Sequence, residues 1–314
     1  MSASLAGDGH VVVVGSAGVD IVGRPTSVLQ MGVSNPGILR MSSGGVGRNV
    51  AENLSRLGMD THLITAVGAD PEGQTVLRRT AEAGVHVDRA LILDDQKTSA
   101  YLAVLDESGN LRLALDDMRP VDSVTPAYLR TCKSLIDGAA AVFVDGNLSP
   151  KALAAVISMA VRAGVPVAAD PTSVSLASRF TPHLKDLWLL TPNEAEAGVL
   201  CPHAVPHADR NLAIDAARHL VSQGVQIAAI SMAESGVGYA SGESSGFVPA
   251  VQTEVIDPTG AGDALTAAII FALLNEIPLD ESVRLGAAAA ALTLRTPGSV
   301  ASNLSLELLY DQLG

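Results

Sequence analysis

Four valines in succession, Val11–Val14, stand between His10 and Gly15. A strand with one wet face alternates apolar and polar residues. An unbroken β-branched run belongs where both faces are covered, as in a parallel sheet lying between layers of helices. The chain beyond Gly15 keeps to strand and helix in turn. Val50, Leu54 and Leu57 are spaced for a helix over Val46–Leu57 that stops at Gly58, THLITAVG reads as the next strand, and Pro71–Ala83 as the next helix. Further strands are expected at Ala141–Asp145, Val165–Asp170, Leu187–Leu190 and Gln226–Ser231, with helices at Pro150–Arg162 and Asp209–Gln223 between them. The alternation predicts an α/β fold with a mainly parallel central sheet, covered on both faces.

Two stretches break the alternation. Between Thr26 and Ser43, Leu29, Met31 and Val33 alternate and Pro36-Gly37 signals a turn; Tyr101–Leu115 reads as a second hairpin with Leu111, Leu113 and Leu115 on one face. Neither carries a helical period, so a small β-lid is expected, formed by about 26–43 and 98–116. So many apolar side chains exceed what a lid over a small molecule can bury. A homodimer through the lid is the expected cover.

Composition narrows the function. Lys+Arg 20 against Asp+Glu 33 leaves a net charge of −13, and no basic run offers the stripe that neutralises phosphates in nucleic-acid binding. At 48% hydrophobic and 17% charged, the chain is not a disordered one. Val11–Val14 is too short for the apolar core of a secretory leader. The longest oily segment, Ala264–Leu274, falls short of the roughly 20 residues a membrane helix requires. Cys132 and Cys201 are too few for a disulfide scaffold, so a reduced cytoplasmic setting is expected. A small-molecule enzyme fits these totals.

The segment richest in chemistry is Asp257–Asp263, DPTGAGD, which runs directly into ALTAAIIFALL. Gly260 and Gly262 let the backbone bend and leave N–H groups bare at a helix N-terminus, a ready site for phosphate. A lone Asp263 would more often be a plain helix-start carboxylate. The glycines before it and the oily helix behind it favour a functional group. No Gly-Lys-[Ser/Thr] occurs, which excludes a Walker-type loop, and GGVGRNV has Val50 where a dinucleotide fingerprint wants Gly or Ala. Cys201-x-His203 and His207 are separated by Pro202 and Pro206 and read as a surface loop, not a metal cluster.

SGGVGRNVAENLSRLG…AVG (Ser43–Gly68) and DPTGAGDALTAAII (Asp257–Ile270) resemble the two signature motifs of the ribokinase/PfkB family of carbohydrate and nucleoside kinases. The resemblance covers essentially the whole chain. It implies a single ribokinase-like kinase domain over 1–314, three layers deep, with a β-sheet lid. Within the family, SNPG (Ser34–Gly37), GGVGRN, DDM (Asp116–Met118), DGNL (Asp145–Leu148) and DPTSV (Asp170–Val174) are similar to the pseudouridine kinase branch, and Val46 replaces the lysine usual in ribokinases. The implied activity is ATP- and Mg²⁺-dependent phosphorylation of the 5′-hydroxyl of pseudouridine. Ribose, a hexose derivative or another nucleoside are the alternative substrates, and a non-catalytic ligand sensor is the alternative class.

Roles carry over by the same resemblance. Asp263 matches the catalytic base, and Gly260, Ala261 and Gly262 with the Asp263 amide match the anion hole. Asp20, Gly45, Asn49 and Asp145 match sugar contacts, and Asn35 is the candidate for reading the base from the lid. Asn193 and Glu196 of TPNEAE match the residues that hold the Mg²⁺ and phosphate network. Ser231, Gly236, Thr259 and Asn303 match nucleotide contacts. Asp257, Thr259, Gly298 and Ser302 match the oxygen ligands of a monovalent cation such as K⁺. One departure stands out: Ala233 occupies a position where the family usually has glycine.

Overall fold

Val11–Val14 are fully buried because a strand pairs on each side of them. The computed structural model describes residues 9–202 and 209–313. In chain order its strands are β1 (Val11–Val14), β2 (Gly18–Pro25), β3 (Gly37–Gly44), β4 (Thr61–Gly68), β5 (His86–Leu93), β6 (Ser99–Leu105), β7 (Leu111–Asp117), β8 (Ala141–Asp145), β9 (Val167–Asp170), β10 (Leu189–Leu190), β11 (Ile227–Ser231), β12 (Gly236–Ser241) and β13 (Ser245–Pro249). Nine of them form the central sheet in the order β13-β12-β11-β10-β9-β8-β1-β4-β5. All its pairings are parallel except those of β12 with β11 and β13.

Alternate valines of β1 feed two different cores. Val12 and Val14 pack into the cluster that holds Leu153 and Val156 of the Pro150–Ala163 helix and Leu220 of the Arg210–Ser222 helix. Val11 and Val13 join Val50 and Leu54 of the Val46–Arg56 helix, together with the Ala261–Leu274 and Leu279–Leu294 helices. A sheet between two helical layers is the expected three-layer α/β fold. Among the described residues no helix is long and apolar enough to cross a membrane.

The lid is a separate four-stranded sheet in the order β3-β2-β6-β7. Its second hairpin, β6–β7, lies where the alternation predicted it. Its first does not. Strand β2 begins at Gly18, and residues 26–36 form a long loop to β3, so Leu29, Met31 and Val33 lie off the sheet and Pro36-Gly37 leads into β3 instead of forming the hairpin turn. The loop closes on itself: the Thr26 N–H donates to the Pro36 carbonyl, and Gly32 takes a left-handed φ of 80°. Alternation marks a strand only where a ladder partner exists, and among the described residues this segment has none.

Register sorts the lid residues by face. Ser42, Asp20, Tyr101 and Asp116 form one row across the four strands; Met41, Ile21, Leu102 and Leu115 form the adjacent row, on the other face. Leu39, Gly23, Val104 and Leu113 extend that second, apolar face, with Leu39 73% and Leu113 49% exposed.

Candidate active site

Strands β1, β4, β8 and β9 end along one edge of the central sheet, at Gly15-Ser16, Gly68, Asp145 and Asp170. In open α/β sheets this carboxyl edge is where ligands bind. The Ala261–Leu274 helix begins beside it. Gly260 precedes the helix with φ 78°, and a Cβ there would stand 2.0 Å from the Ser299 carbonyl oxygen, so only glycine fits. No side chain caps this helix, and its first internal bond runs from the Ala264 N–H to the Gly260 carbonyl at 3.0 Å. The N–H groups of Ala261, Gly262 and Asp263 therefore have no helical acceptor and point out of the helix start.

Two cavities meet at that point. The larger, about 360 Å³, is mostly apolar, with Val251, Val255, Ala291 and Leu294 among its walls and Ser231, Gly236 and Gly262 at its polar side. The smaller, about 140 Å³, is lined by Asp170, Thr172, Asn193, Glu196 and Asp263. Ser231, Gly262 and Leu265 border both. A Cβ built on Gly262 would meet nothing within 4 Å, so this residue faces open space at the junction.

Asp263 is buried, and its Oδ2 accepts a 2.7 Å hydrogen bond from the Asn49 amide nitrogen. That amide is held in one orientation. Its Oδ1 accepts from Arg48 Nη1 and from Ser299 Oγ, each at 2.9 Å, which turns the nitrogen toward Asp263. Arg48 is itself buried; it also donates to the Ser43 carbonyl and pairs with Glu52, whose other oxygen accepts from Arg56. Burial pushes the Asp263 carboxyl up to about 7; the Asn49 hydrogen bond opposes the rise, and the charges of Asp20 and Asp145 add to it. Asp20 is pushed up to about 6, chiefly by burial, against the pull of Arg48. Its carboxylate makes no hydrogen bond among the described residues, although it is only 7% exposed. Asp170 stands well above the usual carboxylate range through burial and the nearby charges of Glu196 and Asp263; burial also raises Glu196.

The fold thus gathers Asp20, Asn49, Asp263 and the Gly260–Gly262 turn, with Asn193 and Glu196 on the smaller cavity and Ser231 and Gly236 on the larger. Gly45, at φ 95°, precedes the Val46–Arg56 helix and packs its backbone against Ser16 and Ala17. Asn193 and Glu196 are also a capping box, the Asn193 oxygen accepting from the Ala195 and Glu196 N–H groups and Glu196 Oε2 from the Asn193 N–H, each at 2.9 Å.

Other expected site residues are held apart from the two cavities or bound within the protein. Asp145 is fully buried, and its oxygens accept from the Ser16 N–H and hydroxyl and from the Gly47 and Asn147 N–H groups. It ties the β1 turn to the Val46–Arg56 helix and has no surface to offer a sugar. The Asn35 amide is engaged in its own loop, accepting from the Gln30 N–H and donating to the Gln30 and Val33 carbonyls, which uses both of its N–H donors. Thr259 and Asn303 are not among the residues lining the larger cavity. Asp257 accepts from the Thr259 and Gly298 N–H groups, but the Ser302 carbonyl accepts from the Arg56 guanidinium at 2.6 Å, a cation that would repel a second one there. The Cys201-x-His203 and His207 loop lies outside the described residues.

Arg48, Ser299 and Asp170 also belong to the site, although no residue pattern marks them as ligand-binding groups. Arg48 lies inside GGVGRN, Asp170 opens DPTSV, and Ser299 comes directly after Gly298. Glu52 four residues after Arg48 is the available sign of a paired, buried charge. Thr172, beside Asp170, holds an unusual φ of 70° for a β-branched residue, and Ala233 sits at φ 43°. The second value lies in the left-handed region, which suits glycine better than alanine.

The family model for pfkB family carbohydrate kinases matches residues 8–306. A pseudouridine kinase from Escherichia coli (strain K12) is 36% identical over 91% of this chain and 90% of its own. A guanosine-inosine kinase from Exiguobacterium acetylicum is 30% identical over 90% of this chain and 93% of its own. Arabidopsis thaliana ribokinase, solved with ribose and ATP, superposes with a TM-score of 0.83 at 22% identity, covering 97% of this chain and 98% of its own, and shows the same fold. The chain belongs to the pfkB family of carbohydrate kinases.

Proposed function

We propose that the protein transfers the γ-phosphoryl group of ATP to the 5′-hydroxyl of pseudouridine. The observation that carries the transfer is the junction at Gly262, where uncapped amides open between an apolar cavity and a buried carboxylate. Phosphoryl transfer asks a protein chiefly for positioning and charge stabilisation. The larger cavity suits an adenine, with the phosphates running toward Gly262. There the Ala261–Asp263 amides offset charge on the transferring group. Asp263, steadied by Asn49, takes the proton of the attacking hydroxyl. Asp20, buried in the lid sheet and without a hydrogen bond among the described residues, is left to grip the ribose hydroxyls.

Asp170 and Glu196 bring carboxylate oxygens close together in the smaller cavity, the donor type that Mg²⁺ prefers. Bound Mg²⁺ supplies positive charge to the phosphates. Asp257 and the neighbouring Thr259 and Gly298 are the part of the K⁺ set this reading retains. The lid sheet excludes water from one face and pairs with a second copy through the other. Cys132 and Cys201 are both free, consistent with a cytoplasmic setting.

The base identity rests on the SNPG, DDM, DGNL and DPTSV resemblances and on the Escherichia coli relative. Pseudouridine differs from uridine in its C-glycosidic link, which leaves an extra N1–H donor. A site that hydrogen-bonds this group rejects the analogue lacking it. The test is kcat/KM for pseudouridine, uridine, inosine, ribose and fructose 6-phosphate. Pseudouridine should lead, with uridine at least about tenfold lower. A lead for inosine, ribose or the hexose phosphate would overturn the substrate while leaving the Asp263 chemistry intact.

A further inference from the structure

We propose that Asp60, His62 and His86 form a binding site for a divalent transition-metal ion, with Zn²⁺ as its typical occupant, at the end of the central sheet opposite Asp263. His62 and His86 are register partners on the parallel strands β4 and β5, so their side chains leave the same face one strand apart. The two rings stack, with centroids 4.4 Å apart and planes at 17°. Asp60, two residues before His62, turns its Oδ1 between them, 3.0 Å from His86 Nε2 and 3.9 Å from His62 Nε2. One ligand atom from each residue lies within 4.8 Å of the other two. Ligand atoms around tetrahedral Zn²⁺, bonded at about 2.0–2.1 Å, stand roughly 3.3 Å apart. Small side-chain shifts close the difference.

The surroundings are those of a ligating histidine. His62 Nδ1, the nitrogen turned away from Asp60, is buried and has no hydrogen-bond partner among the described residues. Asp88 Oδ1 stands 4.0 Å from it. A metal-bound imidazole characteristically gives its other N–H to a carboxylate, which fixes tautomer and ring plane. His10 packs edge-on against His62 at 5.1 Å, with its own Nε2–H donated to the Leu135 carbonyl, and so props the ring from behind.

Two imidazole nitrogens with one carboxylate oxygen suit Zn²⁺ and its neighbours in the series, whereas Mg²⁺ prefers an all-oxygen set. Asp60 and His86 are more than half exposed, which leaves a path for the ion and room for a water as fourth ligand. The site lies at the start of β4, and Gly68 ends that strand six residues later, about 20 Å away. An ion here does not reach the reacting groups. It clips β5, the edge strand of the sheet, to the segment entering β4.

The test is isothermal titration of the untagged protein with Zn²⁺ alone, beside a His62→Ala/His86→Ala double variant and Asp88→Asn. The wild type should take up one Zn²⁺ per chain with micromolar affinity. Asp88→Asn should weaken binding about 10–100-fold, and the double variant by more. Far-UV circular dichroism and Mg²⁺-dependent kinase activity should remain those of the wild type in both, showing that fold and active site are intact. Absence of saturable Zn²⁺ uptake by the wild type, or equal uptake by the double variant, would overturn the site.

Discussion

Asn49 and Asp263, 214 residues apart in the chain, meet through a hydrogen bond of 2.7 Å from the Asn49 amide nitrogen to Asp263 Oδ2. The bond couples the two signature segments, and its direction is set from outside by Arg48 and Ser299 on the far oxygen of the amide. Asn49 therefore acts on Asp263 as a fixed donor and favours its ionised form.

That coupling predicts a pH dependence. A base must be ionised to accept a proton, and burial places Asp263 at about 7. The kcat/KM profile should rise with pH through a limb near that value and level off above it. Asn49→Ala removes a donor that lowers the pKa, so the limb should move to higher pH. A hydrogen bond to a charged group is worth roughly 1.5–3 kcal/mol, and activity at pH 6.5 should fall about tenfold or more. An unmoved limb would separate Asn49 from the base.

The same carboxylate should cost stability when ionised. Its folded-state pKa is raised from 3.8 to about 7, so its stabilising contribution is complete below 3.8 and lost as pH rises through about 7. Asp263→Asn stays neutral throughout. Its melting temperature should exceed that of the wild type by a few degrees at pH 8, with the gap shrinking at lower pH. Calorimetry across that range checks the sign.

Gly260→Ala should disable the helix start. The added methyl meets the Ser299 carbonyl at 2.0 Å, and the left-handed backbone disfavours alanine by about 1–2 kcal/mol. Displacing the Ala261–Asp263 amides should lower kcat at least about a hundredfold, the usual scale for a lost anion-hole donor. Steady-state turnover with saturating ATP measures it.

The exposed apolar lid face predicts self-association. Leu39, Met41, Leu113 and Leu115 lie on one face of the lid sheet, opposite Asp20, and each is about half exposed or more. Light scattering at micromolar concentration should give a dimer for the wild type and a monomer for Leu39→Glu/Leu113→Glu. A monomeric wild type would contradict it.

Much of the fold is legible in the chain because the signals are local. Four valines demand two covered faces whatever their partners, and Gly260-Ala261-Gly262-Asp263 before an oily helix carries its own backbone chemistry. The first lid hairpin departs from expectation because Leu29, Met31 and Val33 alternate like a strand, whereas strand formation depends on a distant partner that the segment lacks. Asp145 and Asn35 look available for ligands in the sequence. Both are tied to their own protein surroundings, Asp145 by the Ser16 and Gly47 N–H groups and Asn35 by Gln30, through contacts that exist only after folding. Arg48 is hidden for the converse reason: a charge inside a glycine-rich motif shows its structural role only once Ser299, 251 residues away, is beside it.

The most direct measurement is turnover by Asp263→Asn with the bound state checked independently. Asparagine can still accept the Asn49 hydrogen bond but cannot take up the hydroxyl proton. ATP and pseudouridine should bind with near wild-type affinity in calorimetric titration, while kcat falls about 10²–10⁴-fold, the scale of a general base. Near-normal kcat with unimpaired binding would contradict the assignment of Asp263 as the base.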